Sequence, residues 1–285
     1  MNNNLYCLIT GASEGFGRAL ALECASRKMN LVLVALAGPE LNFLADFIRR
    51  NYGVEVVALA ADLCSEEQCN QLYQTICDRN LPVNMLINNA GLGSTMLFGE
   101  GNIAFYQKQV QLNVMATTLL TRLFLEILKA NAPSYILNVG SLSCFFALPK
   151  KQVYGATKSF IYSFSRSLCA ELKEDRVHVS VICPGGMNTN NSVTLLARSS
   201  GFISKMSIMN PEEVAGIAIS GLLNRKEVIL SGRLNRTFLL LNALLPGCIK
   251  NMITNRHMRN LASVTSPGTN QSSLHLVQKL NLARQ

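Results

Sequence analysis

The chain has 285 residues, of which 49% are hydrophobic and 15% charged, so it can bury the core of one large α/β domain or two small ones and is not a disordered chain. Its nine cysteines contain no C-x-x-C pair, which favours free thiols in a reducing compartment over a disulfide framework or a zinc site. The net charge is +9, and because we find neither a signal-peptide pattern nor an apolar window of membrane-spanning length, we expect a cytoplasmic protein.

Short apolar runs alternate with helical segments over most of the chain. Seven runs are predicted to be buried strands, at 5–10, 31–36, 54–60, 83–88, 135–141, 177–183 and 227–231. Helices are predicted at 15–28, 40–50, 65–79 (with Ser65 as N-cap), 103–131, 153–173 and 211–223, and the fourth is long enough to be broken near its middle. Because the strands are continuously apolar, the pattern predicts a doubly wound α/β fold, a parallel sheet with helices on both faces.

The first predicted strand ends in a glycine-rich turn, T-G-A-S-E-G-F-G, with glycines at Gly11, Gly15 and Gly17. A turn of this kind between a strand and a helix lets the backbone approach a pyrophosphate at the helix N-terminus. The spacing differs from G-x-G-x-x-G, so an ordinary glycine turn is the alternative interpretation.

A tyrosine and a lysine lie one helical turn apart at Tyr154 and Lys158, and Ser141 stands thirteen residues before the tyrosine. Taken alone, such a pair is usually solvated surface. A tyrosine has an ordinary pKa near 10, and a neighbouring lysine cation favours its charged form. We therefore expect Tyr154 to exchange a proton with a substrate oxygen near neutral pH.

Taken together, the motifs resemble those of the classical short-chain dehydrogenase/reductase family. The matching features, in family order over about residues 5–231, are the T-G-x-x-x-G-x-G turn, Asp62, N-N-A-G at 88–91, Asn113, Ser141, Y-x-x-x-K at 154–158 and P-G-G-M-N-T at 184–189. The resemblance implies a Rossmann-like fold with a seven-stranded sheet. It also implies an oxidoreductase that transfers a hydride between a nicotinamide cofactor and a carbonyl or alcohol substrate.

The same resemblance assigns roles to particular residues. Tyr154 would be the acid–base group and Ser141 would hydrogen-bond the same substrate oxygen, while Lys158 would hold the nicotinamide ribose and Asn113 would anchor a water in a proton relay. The implied cofactor-binding residues are Gly11, Ser13, Gly15, Gly17, Asp62, Asn88, Ala90, Gly91, Tyr154, Lys158, Pro184, Gly185 and Thr189.

Within the cofactor-binding set, Asp62 would contact the adenine, although a carboxylate at a helix start explains it equally well. Asn88 and the backbone of Ala90 and Gly91 would contact the adenosine side, and Thr189 the carboxamide. No metal is expected at this site.

The end of the second predicted strand indicates which nicotinamide cofactor is used. Relatives that choose NAD often carry an acid there, and many that choose NADP carry an arginine, whereas this chain has Leu36 and Ala37. The missing acid removes a repulsion against a 2′-phosphate, and Ser13 and Arg18 could help to bind that phosphate. We therefore expect NADP in preference to NAD.

The predicted substrate wall is apolar and comes from the segments 92–98, 144–148 and 187–209. It offers Leu92, Met96, Phe145, Phe146, Leu148, Met187, Ile203 and Met206. No arginine or lysine is conspicuously placed for a carboxylate, so an apolar ketone, aldehyde or 3-oxoacyl chain is expected. The alternatives are a cofactor-binding sensor or scaffold without turnover, and another reaction on the same fold, such as epimerisation or dehydration.

We divide the chain into a dinucleotide-binding catalytic domain, 1–231, and a basic, apolar C-terminal extension, 232–285. From residue 228 onward there are seven basic residues and no acid, whereas the rest has 19 basic against 17 acidic residues. Two short helices are predicted within 236–261, separated at Pro246. This segment could contact an anionic membrane surface, cover the substrate mouth or form a subunit interface. We expect a homo-oligomer, dimer or tetramer, and no nucleic-acid partner.

Overall fold

The computed structural model describes residues 4–187 and 209–232, and they include a single seven-stranded parallel sheet. The strands are β1 Tyr6–Thr10, β2 Asn30–Ala35, β3 Val56–Ala60, β4 Val83–Asn88, β5 Ser134–Val139, β6 Val177–Cys183 and β7 Val228–Leu230. Their order across the sheet is β3-β2-β1-β4-β5-β6-β7, with every neighbouring pair parallel. All seven predicted strands and the doubly wound Rossmann-like fold are confirmed, with strand ends shifted by one or two residues.

Seven α-helices accompany the strands in the described residues. They are α1 Gly15–Ser26, α2 Pro39–Tyr52, α3 Glu66–Asp78, α4 Ile103–Val110, α5 Thr117–Ala130, α6 Gln152–Glu171 and α7 Pro211–Leu223. A π-helical segment, Gln111–Ala116, joins α4 to α5, and short 3₁₀ turns lie at Phe98–Glu100 and Leu142–Phe145. The long helix predicted at 103–131 is therefore interrupted near its middle, as its length indicated. Ser65 caps α3 as predicted, because its hydroxyl accepts a hydrogen bond from the Gln68 backbone N–H at 3.2 Å.

The hydrophobic core lies on both faces of the sheet. On one face Ile9 packs in a cluster with α1, α2 and α7, and on the other Leu8 packs in a cluster with α3 and α5. Neighbouring residues of a strand point to opposite faces, so a strand covered on both sides must be apolar at every position. This explains why β1 is an uninterrupted apolar run.

The strand order reverses at β1, which lies between β2 and β4. At such a switch point the loops leaving the carboxyl ends of the two strands diverge to opposite faces and open a crevice between them. The glycine turn follows β1 and the N-N-A-G motif begins at the end of β4, so the fold brings the two motifs to the same crevice.

Several predictions fall outside the described residues: the role of Thr189, the wall residues Ile203 and Met206, and the helices expected within 236–261. Over residues 4–187 and 209–232, none of the helices combines the length and apolar character needed to cross a bilayer.

Candidate active site

The glycine turn is shaped by two residues with left-handed backbone and by one close approach. Gly11 has φ 62° and Gly15 has φ 54°, a region that glycine occupies without steric cost. A Cβ at Gly17 would lie 1.9 Å from the carbonyl oxygen of Gly11, so no side chain fits at that position. The turn therefore needs all three glycines, and its backbone stays open toward the crevice.

Thr10 and Asn89 join the glycine turn to the loop after β4. The Thr10 hydroxyl accepts hydrogen bonds from the backbone N–H groups of Asn89 and Ala90, both at 3.0 Å. The Asn89 amide donates to the carbonyl oxygens of Thr10 at 2.9 Å and Gly11 at 3.2 Å. These two residues hold the crevice in shape, and the sequence prediction did not single out either of them. The sequence signal that could have indicated them is their position in the motifs, since Thr10 directly precedes Gly11 and Asn89 directly follows Asn88.

Most of the predicted cofactor-binding residues border the crevice. Those that do are Gly11, Ser13, Gly15, Gly17, Asp62, Ala90 and Gly91. The side chain of Arg18 is exposed and does not border it, whereas the exposed acid Glu14, which the prediction did not weigh, does. The Asp62 carboxylate also accepts a hydrogen bond from the Cys64 backbone N–H at 3.0 Å, just before α3, and its contact with the adenine stays a prediction. After β6, the carbonyl of Pro184 accepts from the Leu142 N–H at 2.9 Å, which ties the 184–185 turn to the loop after β5.

Asn88 does not border the crevice. Its side chain is buried, and its amide donates to Asn138 Oδ1 at 2.8 Å and to Thr121 Oγ1 at 3.1 Å. Asn88 is the last residue of β4, so these bonds connect β4, β5 and α5 inside the structure. Asn89, one residue further, is the asparagine that borders the crevice.

Lys158 is a buried cation near the start of α6. It is 6% exposed, and its Nζ donates to the Val139 carbonyl at 2.7 Å, at the carboxyl end of β5. Burial lowers its pKa from the ordinary value to about 8. Gly91 lies beside it, since a Cβ there would be 3.5 Å from Nζ. The lysine thus lies between the carboxyl end of β5 and the Gly91 loop that borders the crevice.

Tyr154 is held in its protonated form. Burial raises the pKa of the phenol, and the hydrogen bond with Ser141 opposes this without reversing it. Lys158 Nζ is 5.9 Å from the ring centroid. The spacing predicted that the lysine would favour the phenolate, whereas the pKa of Tyr154 is raised, with desolvation as the largest cause. A neutral phenol is the form that donates a proton.

Asn113 lies in the π-helical segment and positions the catalytic helix. Its buried side chain accepts from the Leu92 N–H at 2.7 Å, and donates to the Leu92 carbonyl and to Thr157 Oγ1, both at 3.0 Å. The Thr157 hydroxyl in turn donates to the Tyr154 carbonyl at 2.8 Å. One amide therefore connects the loop after β4 to the turn that carries Tyr154. Interruptions of this kind in helices are frequent at functional sites.

A second lysine, Lys151, lies beside Tyr154. Its Nζ is 5.3 Å from the Tyr154 ring centroid and 3.5 Å from the Ser94 carbonyl oxygen. It borders a groove with the predicted wall residues Phe145, Phe146 and Leu148. The sequence showed no arginine or lysine conspicuously placed for a carboxylate, whereas the structure places Lys151 in the groove that these wall residues line.

The fold, the crevice at its switch point and the serine, tyrosine and lysine gathered beside it define a dinucleotide-dependent oxidoreductase. The model of the short chain dehydrogenase family matches residues 6–199. The chain therefore belongs to the short-chain dehydrogenase family.

Characterised members of the family are similar to this chain over most of its length. A 3-oxoacyl-(acyl-carrier-protein) reductase of Aquifex aeolicus is 26% identical over 216 residues, which cover 74% of this chain and 87% of that protein. A very-long-chain 3-oxoacyl-CoA reductase of Vanderwaltozyma polyspora is 30% identical over 226 residues, which cover 76% of this chain and 62% of that protein. Among solved structures, a short-chain dehydrogenase of Sphingobium yanoikuyae in complex with NADPH is 25% identical, with TM-score 0.72 over 94% of this chain and 99% of that one.

Proposed function

We propose that the protein reduces a carbonyl substrate with NADPH, and that Tyr154 is the proton donor. The observation that carries the proposal is the placement of Tyr154 next to Ser141 and Lys158, with its phenol kept protonated by burial. A panel of ketones, aldehydes and 3-oxoacyl compounds, followed by NADPH absorbance with NADH in parallel, tests it. A protein that binds the cofactor and turns over no member of the panel would instead be a sensor or scaffold.

Four residues of the chain have separate roles in the proposed reaction. Ser141 and Tyr154 both bind the carbonyl oxygen of the substrate, and Tyr154 gives it a proton as negative charge develops there. Lys158, beside Gly91, holds the cofactor's ribose. Asn113 keeps the loop after β4 and the first turns of α6 in register. The cofactor, when bound, supplies the hydride.

The glycine turn supports a dinucleotide as the cofactor. Gly17 cannot carry a side chain, because a Cβ there would lie 1.9 Å from the Gly11 carbonyl oxygen. No side chain at this position therefore excludes a pyrophosphate from the turn. The similar protein from Sphingobium yanoikuyae was solved with NADPH, in agreement with the cofactor proposed here.

The end of β2 favours NADPH over NADH. Leu36 is 63% exposed and borders the crevice, and neither it nor Ala37 offers a carboxylate to hold the ribose hydroxyls. We expect calorimetry to show tighter binding of NADPH, and Leu36→Asp to shift the preference about tenfold or more toward NADH, because the new charge repels the 2′-phosphate. Phe43→Asp, an equally exposed change on α2 outside the crevice lining, controls for the added charge. A parent protein that binds NADH more tightly would overturn the preference.

The substrate is proposed to be apolar, with a ketone, aldehyde or 3-oxoacyl carbonyl. The aromatic and aliphatic side chains of Phe145, Phe146 and Leu148, which line a groove with Lys151, support this. The 3-oxoacyl substrates named for the two similar proteins, from Aquifex and Vanderwaltozyma, agree with it.

Assembly into a homo-oligomer is also a proposal. Its support is a set of large apolar side chains left exposed on or next to α4 and α6, namely Ile103, Val110, Met115 and Phe160. Apolar residues in this number on neighbouring helices are typical of a surface that another subunit covers.

A peripheral contact between segment 236–261 and an anionic membrane is proposed from its composition, which is apolar and basic without any acid. We expect the full chain to sediment with anionic vesicles at low salt and to be released at high salt, since each basic residue adds on the order of 1 kcal/mol near such a surface. Neutral vesicles are the control. Equal sedimentation with both, or with neither, would favour a lid or a subunit interface.

A further inference from the structure

Lys151 is a half-buried cation beside Tyr154 with no acidic partner among the described residues. None of the four ion pairs found there includes it. Its only hydrogen-bond acceptor in that part of the chain is the Ser94 carbonyl, at the long distance of 3.5 Å. Burial alone shifts its pKa, which is lowered. A half-buried ammonium group without a counter-ion is costly, so it gains strongly from an anionic ligand.

The backbone before Lys151 is arranged to hold it in this place. Lys150 has φ 65°, a left-handed conformation that disfavours a residue with a side chain. Its carbonyl accepts from the Met96 N–H at 3.0 Å, and the Lys151 N–H donates to the Leu148 carbonyl at 3.1 Å. Backbone strain that persists beside a catalytic group is a recognised mark of function. The strained turn joins the two loops that carry the substrate wall.

The local electrostatics reinforce the positive charge. Helix α6 begins directly after Lys150 and Lys151, and its first turn contains no acid, although helix N-termini normally favour acids over bases. The groove beside Lys151 is lined largely by apolar side chains, including Phe145, Phe146 and Leu148. Among the described residues that line this groove, Lys151 alone is charged, so an anion that enters it meets one cation.

We propose that Lys151 binds a carboxylate of the substrate, so that the enzyme prefers oxo acids, with an apolar chain and a free carboxylate a few bonds from the carbonyl, over their neutral esters and thioesters. The inference rests on the proposed function, because it concerns the substrate of the same site. Lys151 Nζ lies 5.3 Å from the centre of the ring whose hydroxyl meets the carbonyl, so a single small molecule can reach both groups.

The alternative role for Lys151 is electrostatic support of Tyr154 for any substrate, and it predicts a different result. A cation that acts only on the tyrosine affects acid and ester equally. A cation that binds the substrate's carboxylate affects the acid alone. Matched pairs of substrate therefore separate the two roles.

The test compares 3-oxo acids and 2-oxo acids of increasing chain length with their methyl esters, using the full chain and NADPH. Three variants are measured: Lys151→Met, Lys151→Arg and, as a control, Lys173→Met, which removes an exposed lysine beyond the other end of α6. We expect Lys151→Met to lower kcat/KM for the acids by about 10- to 100-fold, the range for a charge-assisted hydrogen bond, mainly through KM. The esters keep the parent's values, Lys151→Arg recovers part of the loss, and the control changes nothing.

A measurement without turnover completes the test. Calorimetry in the presence of cofactor is expected to show that a saturated carboxylic acid of matched length binds the parent and fails to bind the Lys151→Met variant. Unchanged NADPH binding by that variant shows that it is folded. Equal losses for acids and esters, or a parent that reduces only the esters, would refute the role of Lys151 and leave the proposed function intact. Turnover of neither acids, esters nor the wider carbonyl panel would refute both.

Discussion

Tyr154→Phe is expected to lower kcat by about 10²- to 10⁴-fold, because the ring stays in place while the proton donor is lost. The aromatic ring still fills its position next to Lys151 and Lys158, so NADPH binding is expected to stay near the parent value. Steady-state rates with the best carbonyl substrate, together with cofactor affinity by calorimetry, check both parts.

The matched control for this change is Tyr162→Phe, which removes the same atom two turns further along α6. Tyr162 stacks edge-on against Phe145 and lies beside Arg166, away from the crevice. It is expected to keep most of the activity. If Tyr154→Phe turned over like the parent, Tyr154 would not be the acid and the proposed mechanism would have to be abandoned.

Gly17→Ala is expected to weaken NADPH binding by about 100-fold or more. The new methyl group would lie 1.9 Å from the Gly11 carbonyl oxygen and 2.6 Å from the Asn89 amide nitrogen, so the backbone of the turn must move. Displacements of about 1 Å in a positioning element cost on this order. Calorimetric titration with NADPH measures the affinity, and thermal unfolding reports how far the damage spreads into the fold.

Gly99→Ala is the control for a methyl group added at a glycine. Gly99 lies in a 3₁₀ turn, and a Cβ there would have nothing within 4 Å. This variant is expected to bind NADPH like the parent. A Gly17→Ala protein with unchanged affinity would show that the turn is not the pyrophosphate cradle.

The strands could be predicted because most of their residues are apolar and the central strands are buried on both faces. That signal depends on the chain alone, and it located all seven strands to within two residues. The outer ends of the predicted helices also agree with the structure to within two residues. The interruption between α4 and α5 was expected from length, but its π-helical form depends on how Asn113 bonds to Leu92 and Thr157.

Choosing between Asn88 and Asn89 required the structure. Side chains alternate between the two faces at the end of a strand, so the outcome depends on where β4 stops. Because the strand includes Asn88, its side chain is buried and bonds to β5, whereas the side chain of Asn89 lies at the crevice. The motif N-N-A-G contains both residues and does not distinguish them.

The two lysines of the site show a second limit. Spacing placed Lys158 one turn after Tyr154, but the direction of the tyrosine's pKa shift depends on burial, which spacing does not report. The residue spacing does not indicate Lys151, because its position follows from the left-handed turn at Lys150 and not from a helical period. The burial of Tyr154 and the left-handed backbone of Lys150 both depend on the folded structure, so residue spacing alone does not predict them.

The π-helical segment between α4 and α5 sets how α5 is rotated about its axis relative to α4 and to the loop after β4. Successive residues of an α-helix are rotated by about 100°, so one residue more or fewer in this segment would turn everything after it by that angle. Asn113 would keep its bonds to Leu92 only if Phe124 turned away from the sheet, and Phe124 would stay buried only if Asn113 turned away from Leu92. The length of this short stretch is therefore under constraint from both the chemistry and the packing, and insertions or deletions there cannot be tolerated as they are in a surface loop.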